Sequence, residues 1–127
     1  MRNNHVTYLE IDLNSIDANL NFFKSKLDSD TKILIVSKAF GYGIDAIKIA
    51  THLKEKVDYF AVAYLDEGIS LRNAGIKNPI LVLHPQINNL LKIIEYNLEP
   101  NIYSLKLLKK FADLINSSKV TSYPLHL

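Results

Sequence analysis

Short apolar runs alternate with helix-periodic stretches along most of this chain, at roughly twenty to twenty-six residues per unit, which predicts a parallel sheet with helical crossovers. The runs are Ile33–Ser37 (ILIVS), Tyr59–Ala63 (YFAVA), Pro79–Leu83 (PILVL) and a shorter one at Glu99–Tyr103, weakened at its start by Pro100. A run apolar on both faces, such as the first, suits a strand covered on both sides. Between the runs, Ala46, Ile47, Ala50 and Leu53 stripe one helix. Leu65–Ala74 is a second, with Asp66 and Glu67 early, Arg72 late and Gly75 at its end. Ile87, Leu90, Leu91 and Ile94 stripe a third; Leu107, Leu108, Phe111 and Ile115, capped by Ser104, stripe a fourth. Ser122–Leu127 (SYPLHL) begins one more strand.

Ahead of the first run, Thr7–Leu13 (TYLEIDL) alternates like a half-exposed strand. A helix follows, striped by Ile16, Leu20, Phe23 and Leu27 and capped by Asn14 or Ser15. Four complete strand–helix units and the start of a fifth fit an open doubly wound sheet. They also fit the first half of an eight-unit barrel, which takes about 250 residues to close. The stop inside SYPLHL, with no helix after it, favours the barrel. The chain is then expected to be one N-terminal portion, residues 1–127, of a larger domain: α/β, a partial (β/α)8 barrel of four to five units preceded by one extra strand and helix.

The first run ends on a lysine. Alternation puts Lys38 on one face with Leu34 and Val36, opposite Ile33 and Ile35, at the C-terminal strand end where α/β folds place their chemistry. An exposed lysine titrates at about 10.4, and desolvation favours its neutral amine. A neutral lysine amine forms Schiff bases with carbonyls, pyridoxal phosphate among them. Gly41 and Gly43 flank Tyr42 just beyond, and Asp45 stands as an N-cap before the next helix. Glycines let backbone amides approach a phosphate, with the helix N-terminus behind them. The plainer alternative is a lysine snorkelling out of a strand end beside an ordinary glycine turn.

Composition narrows the field. With 127 residues at 48% hydrophobic, the chain can core one domain and is too apolar for disorder. A net charge of +2 without a basic run leaves no electrostatic footprint for nucleic acid. Zero cysteines exclude disulfides and thiolate chemistry and fit a reducing compartment. No apolar stretch spans a bilayer and MRNNHVTYLE lacks a signal-peptide core, so a soluble cytoplasmic protein is expected.

YLEIDL, a helix, and then VSKAFGYG together resemble the N-terminal part of the alanine racemases, pyridoxal-phosphate enzymes of barrel type. Lys38, Ala39, Tyr42 and Gly43 match that family's K-A-x-A-Y-G-type motif. Ala61–Leu83 (AVAYLDEGISLRNAGIKNPILVL) resembles the segment running into its third barrel strand, and SYPLHL the strand before a K-x-D-T-G-M-x-R sequence. The resemblance implies interconversion of L- and D-alanine, the latter for peptidoglycan, with pyridoxal 5'-phosphate as cofactor. It implies that Lys38 holds the cofactor as a Schiff base and acts as one of two bases, and that Tyr42 contacts the phosphate. Val36 and Leu83 are further candidate cofactor contacts. It further implies a homodimer, because in the family the second base is a tyrosine of the partner subunit's C-terminal domain.

Phe40 and Gly41 depart from the motif, standing where Asn or Asp and Ala are common; Ile44 and Asp45 replace a frequent His-Gly. A phenylalanine at that place is similar to the racemase half of fused cell-wall ligase–racemases. Competing readings are a non-catalytic pyridoxal-phosphate homeostasis protein and another barrel-type amino-acid racemase or decarboxylase. Among other polar residues, His52 and His126 lack a second ligand nearby in sequence, so no metal site is expected. His84 could line a pocket after the third strand. Asp66 and Glu67, as neighbours on a helix, face different directions and suit its first turn better than paired catalysis.

Overall fold

The computed structural model describes residues 7–118 and 120–127 and divides them between two units, one ending at Thr31 and one running from Lys32 to Leu127. The first unit holds helix α1 (Leu13–Lys24). Asp12 caps it, accepting from the Asn14 amide at 2.9 Å and from Ser15 Oγ at 2.8 Å. The cap therefore falls two residues ahead of the expected Asn14. The extra strand expected at Thr7–Leu13 does not form: residues 7–12 take no regular structure and Tyr8 and Leu9 are exposed. Alternation supplies a strand's side chains but not the partner whose hydrogen bonds make it one.

The second unit repeats strand and helix in order. It comprises β1 (Leu34–Val36), a helical turn α2 (Lys38–Tyr42), α3 (Ala46–Leu53), β2 (Tyr59–Val62), α4 (Leu65–Asn73), β3 (Ile80–Val82), a 3-10 turn (Ile87–Asn89), α5 (Leu90–Glu95), β4 (Glu99–Pro100) and α6 (Leu105–Ser117). The strands lie parallel in the order β1-β2-β3-β4. Each strand pairs with the next without a reversal, as in a β/α barrel and unlike a doubly wound sheet. Of the fifth strand expected at Ser122–Leu127, a single bridge forms. His126 bridges Asn101 in parallel, its amide donating to Pro100 O and its carbonyl accepting from Ile102 N at 2.7 Å.

Register sorts the side chains into two faces. Phe60, Val62, Ile80 and Val82, all without solvent exposure, share the face packed under the helices, where Leu53, Leu71, Ile93, Leu107 and Phe111 are also buried. The other face carries Leu34, Val36, Ala61, Leu81 and Glu99. Burial on both faces, expected for β1, does not hold: Leu34 is 39% and Val36 38% exposed. As the edge of this sheet, β1 has a neighbour on one side only, while Ala61 and Leu81 inside it are buried on the same face.

The ends of the strands away from the lysine are tied together by one side chain. Arg72, on α4, donates through Nη1 to Ile76 O and Asn78 O, through Nη2 to Asn97 O (each 2.7 Å) and through Nε to Tyr96 O at 3.2 Å. Asn78 continues the tie, its Nδ2 reaching Lys54 O and Val57 O. Those carbonyls lie in the segments that lead into β2, β3 and β4.

Candidate active site

The opposite edge, at the C-terminal ends of the strands, is where Lys38 stands. The ladder from β1 closes with the Ser37 amide donating to Ala61 O at 2.7 Å. Ser37 then leaves extended geometry (φ −114°, ψ 25°) and Lys38 opens α2. Lys38 is thus half-buried at the head of a turn rather than the last residue of a strand, and strict alternation with Val36 ends one residue early.

That turn is left-handed. Ala39, Phe40 and Gly41 have φ of 51°, 56° and 63°, Tyr42 has φ 57°, and Gly43 closes it at φ 90°. Left-handed helical geometry costs an L-residue about 1–2 kcal/mol, so Ala39, Phe40 and Tyr42 together store several kcal/mol. The turn binds itself through Gly41 N to Ser37 O, Gly43 N to Ala39 O and Asp45 N to Phe40 O. Asp45 caps α3 as expected, accepting from the Lys48 amide at 3.2 Å. Phe40 and Tyr42 are both 64% exposed.

Gly41 is fixed by more than its dihedral. A Cβ there would lie 2.8 Å from Ala46 N and 2.9 Å from Ala46 Cα, a backbone that cannot swing aside. Gly41→Ala, which would install the residue common in the motif, is therefore expected to cost roughly 1–3 kcal/mol through left-handed strain and overpacking. Urea unfolding of the variant beside the parent checks it; an unchanged midpoint would mean the loop can shift freely.

A carboxylate from elsewhere holds the turn. Glu67 Oε1 accepts from the Ala39 amide at 2.7 Å, while Oε2 accepts from the amides of Ala63 at 2.7 Å and Tyr64 at 3.1 Å. Glu67 is the third residue of α4, so its reach back to Tyr64 is half of a capping box. Its bond to Ala39, 28 positions away, is what sequence proximity does not reveal. Asp66, beside it, is exposed, whereas Glu67 is half-buried.

Of the other predicted contacts, Val36 closes β1, and Leu83 follows β3, its amide donating to Val62 O. They share a sheet face with β2 between them. His84 is exposed at the same edge, its ring 6.0 Å from that of Tyr64. His52, near the end of α3, pairs with Lys56 in the turn that follows, at 3.2 Å. Among the described residues, no cluster of three or more His, Cys, Asp or Glu could hold a metal ion, and no helix is long and apolar enough to cross a membrane.

His126 has a partner that was not anticipated. Glu99, buried on the inner face of the sheet, accepts from Tyr59 OH at 2.8 Å and meets His126 Nε2 at 2.8 Å through the same oxygen. Burial, reinforced by the Glu99 carboxylate, pushes the Tyr59 phenol up to about 12. The legible signal was a lone acid, Glu99, set between Leu98 and Ile102 in an apolar run.

Comparison with known proteins agrees with this geometry. The family described as alanine racemase, N-terminal domain, matches residues 11–127. Alanine racemase 2 of Oceanobacillus iheyensis is 47% identical over 83 residues, 62% of this chain and 21% of that protein. The structure of alanine racemase from Clostridium difficile 630 superposes with a TM-score of 0.81 at 39% identity, covering 89% of this chain and 32% of its own. A second structure of that enzyme, in complex with cycloserine, gives 0.80 at 35% identity. The chain spans about a fifth of the curated relative's length and a third of the solved structures'. Its parallel sheet is therefore part of a β/α barrel, and the chain belongs to the alanine racemase N-terminal domain family.

Proposed function

We propose that this chain contributes the lysine side of a pyridoxal-phosphate-dependent alanine racemase, with Lys38 as the residue that holds the cofactor and acts as a base. The observation that carries the reading is Lys38 at the C-terminal end of β1, opening a rigid turn that also bears Tyr42, within a family match over residues 11–127. The residues fit the cofactor's chemistry. A primary amine for a carbonyl and a phenol for a phosphate lie on one turn, and Ser37 Oγ beside them is buried with no hydrogen-bond partner. When bound, the cofactor supplies an electron sink for the substrate's α-carbon.

The chain's own residues divide the remaining work. Lys38 Nζ would hold the cofactor and, once released from it as a neutral amine, would take or return the α-proton of alanine on one face. Tyr42 OH would donate to the phosphate. Val36 and Leu83 would add apolar surface beside the cofactor. The base for the other face would come from outside this chain, by analogy with the family's two-subunit site, so the working enzyme is a homodimer in this reading. That the Clostridium difficile relative binds cycloserine supports an amino-acid-shaped substrate.

Borohydride reduction after incubation with pyridoxal phosphate, followed by digestion and peptide mapping, tests the assignment directly. A pyridoxyl adduct is expected on Lys38. An adduct on Lys32 or Lys48 in its place would end this reading.

A further inference from the structure

We infer that Glu67 is the positioning residue for Lys38: its carboxylate sets where the lysine amine stands relative to the sheet, and through it the affinity for the cofactor. The inference rests on the assignment of Lys38 made above. Its grounds are geometric. The Ala39 amide, next in chain to Lys38, ends on Glu67 Oε1 at 2.7 Å, while Oε2 grips Ala63 and Tyr64 at the end of β2. One carboxylate thus fastens the residue after the lysine to the neighbouring strand. The turn it holds is strained over Ala39–Tyr42, and strain of that kind persists only where surrounding contacts over-determine it.

Charge and shape both matter to this clamp. A carboxylate offers acceptors on both oxygens and bonds amides more strongly than a neutral group does. A glutamine offers one oxygen; its amide nitrogen would confront either the Ala39 N–H or the Ala63 and Tyr64 pair, donor against donor. Glu67→Gln therefore keeps the volume and unlatches one arm. Glu67 itself touches neither cofactor nor substrate in this account, so a loss on its removal reports displacement of the lysine.

The test compares Glu67→Gln with Leu107→Ala, whose side chain is buried on α6, the helix after β4 at the opposite side of the sheet from β1. For each, thermal unfolding, the dissociation constant for pyridoxal phosphate by titration, and the borohydride-trapped yield on Lys38 are measured. Glu67→Gln is expected to weaken cofactor binding roughly ten- to hundredfold, the scale of an ångström's misplacement. Amide exchange should quicken at Ala39, with the Leu83 amide still protected. Leu107→Ala should lower the unfolding temperature and leave cofactor affinity within about twofold, since additivity holds for distant sites. Cofactor affinity unchanged in Glu67→Gln, or weakened equally by Leu107→Ala, would overturn the clamp while leaving Lys38 in its role. A parent protein that forms no adduct on Lys38 would overturn the assignment of Lys38 and the clamp together.

Discussion

In the complete enzyme of the proposed function, Lys38→Arg is expected to remove racemisation almost completely, by at least about a thousandfold in kcat/KM, although it preserves the positive charge. A positioned general base contributes about 10²–10⁴-fold by itself, and in the proposed role the same group also anchors the cofactor. Arginine stays protonated at any working pH, so its guanidinium has no lone pair for a carbonyl carbon or an α-proton. Its planar fork is longer and bulkier than an ammonium, and the left-handed turn that begins at the next residue, Ala39, ties down the backbone beside it. Two measurements check this together: conversion of L- to D-alanine, and the yield of pyridoxyl adduct after borohydride. Both should fall to background in the arginine variant and in Lys38→Ala. Racemisation retained within tenfold by either would show that the base lies elsewhere.

Much of the architecture could be read from local chemistry. The apolar runs Ile33–Ser37, Tyr59–Ala63 and Pro79–Leu83 became parallel neighbours in chain order, each strand slightly shorter than its run. Asp45 and Ser104 cap the helices they precede, and Gly75 takes the left-handed position after α4, because these are short-range effects encoded within a few residues. The position of the lysine at a strand end was legible for the same reason. What was not legible depends on distant partners. Thr7–Leu13 has a strand's alternation and no strand beside it, while Asp12 satisfies the amides of α1 instead. Three non-glycine residues in left-handed geometry have no local code at all; the conformation is held by a carboxylate 28 positions along. Two glutamates, 67 and 99, looked like a first-turn acid and a weak strand residue, yet one clamps the lysine turn and the other gathers Tyr59 and His126.

Arg72 is the largest instance of that long-range dependence, and its removal should be the costliest single surface-reaching change to stability. Sequence suggested a cation near the end of a helix, favourable to its dipole by well under 1 kcal/mol on an exposed surface. The structure gives the guanidinium four backbone carbonyls, Ile76, Asn78, Tyr96 and Asn97, in the segments leading into β3 and β4. Hydrogen bonds to a charged group contribute about 1.5–3 kcal/mol each and are not additive within one cluster, so Arg72→Leu is expected to cost about 3 kcal/mol or more. Leucine keeps part of the apolar stem and leaves four carbonyls to find water. Arg72→Lys should recover only a fraction, since a single ammonium carries three donors without the planar fork that reaches both sides. Because the Arg72 cluster lies at the end of the sheet away from Lys38, the folded fraction of Arg72→Lys should still trap the cofactor on Lys38. Urea unfolding measures the loss as a shift in midpoint at unchanged slope. A loss below about 1 kcal/mol for Arg72→Leu would place these four bonds with ordinary exposed contacts, whose net worth is that small.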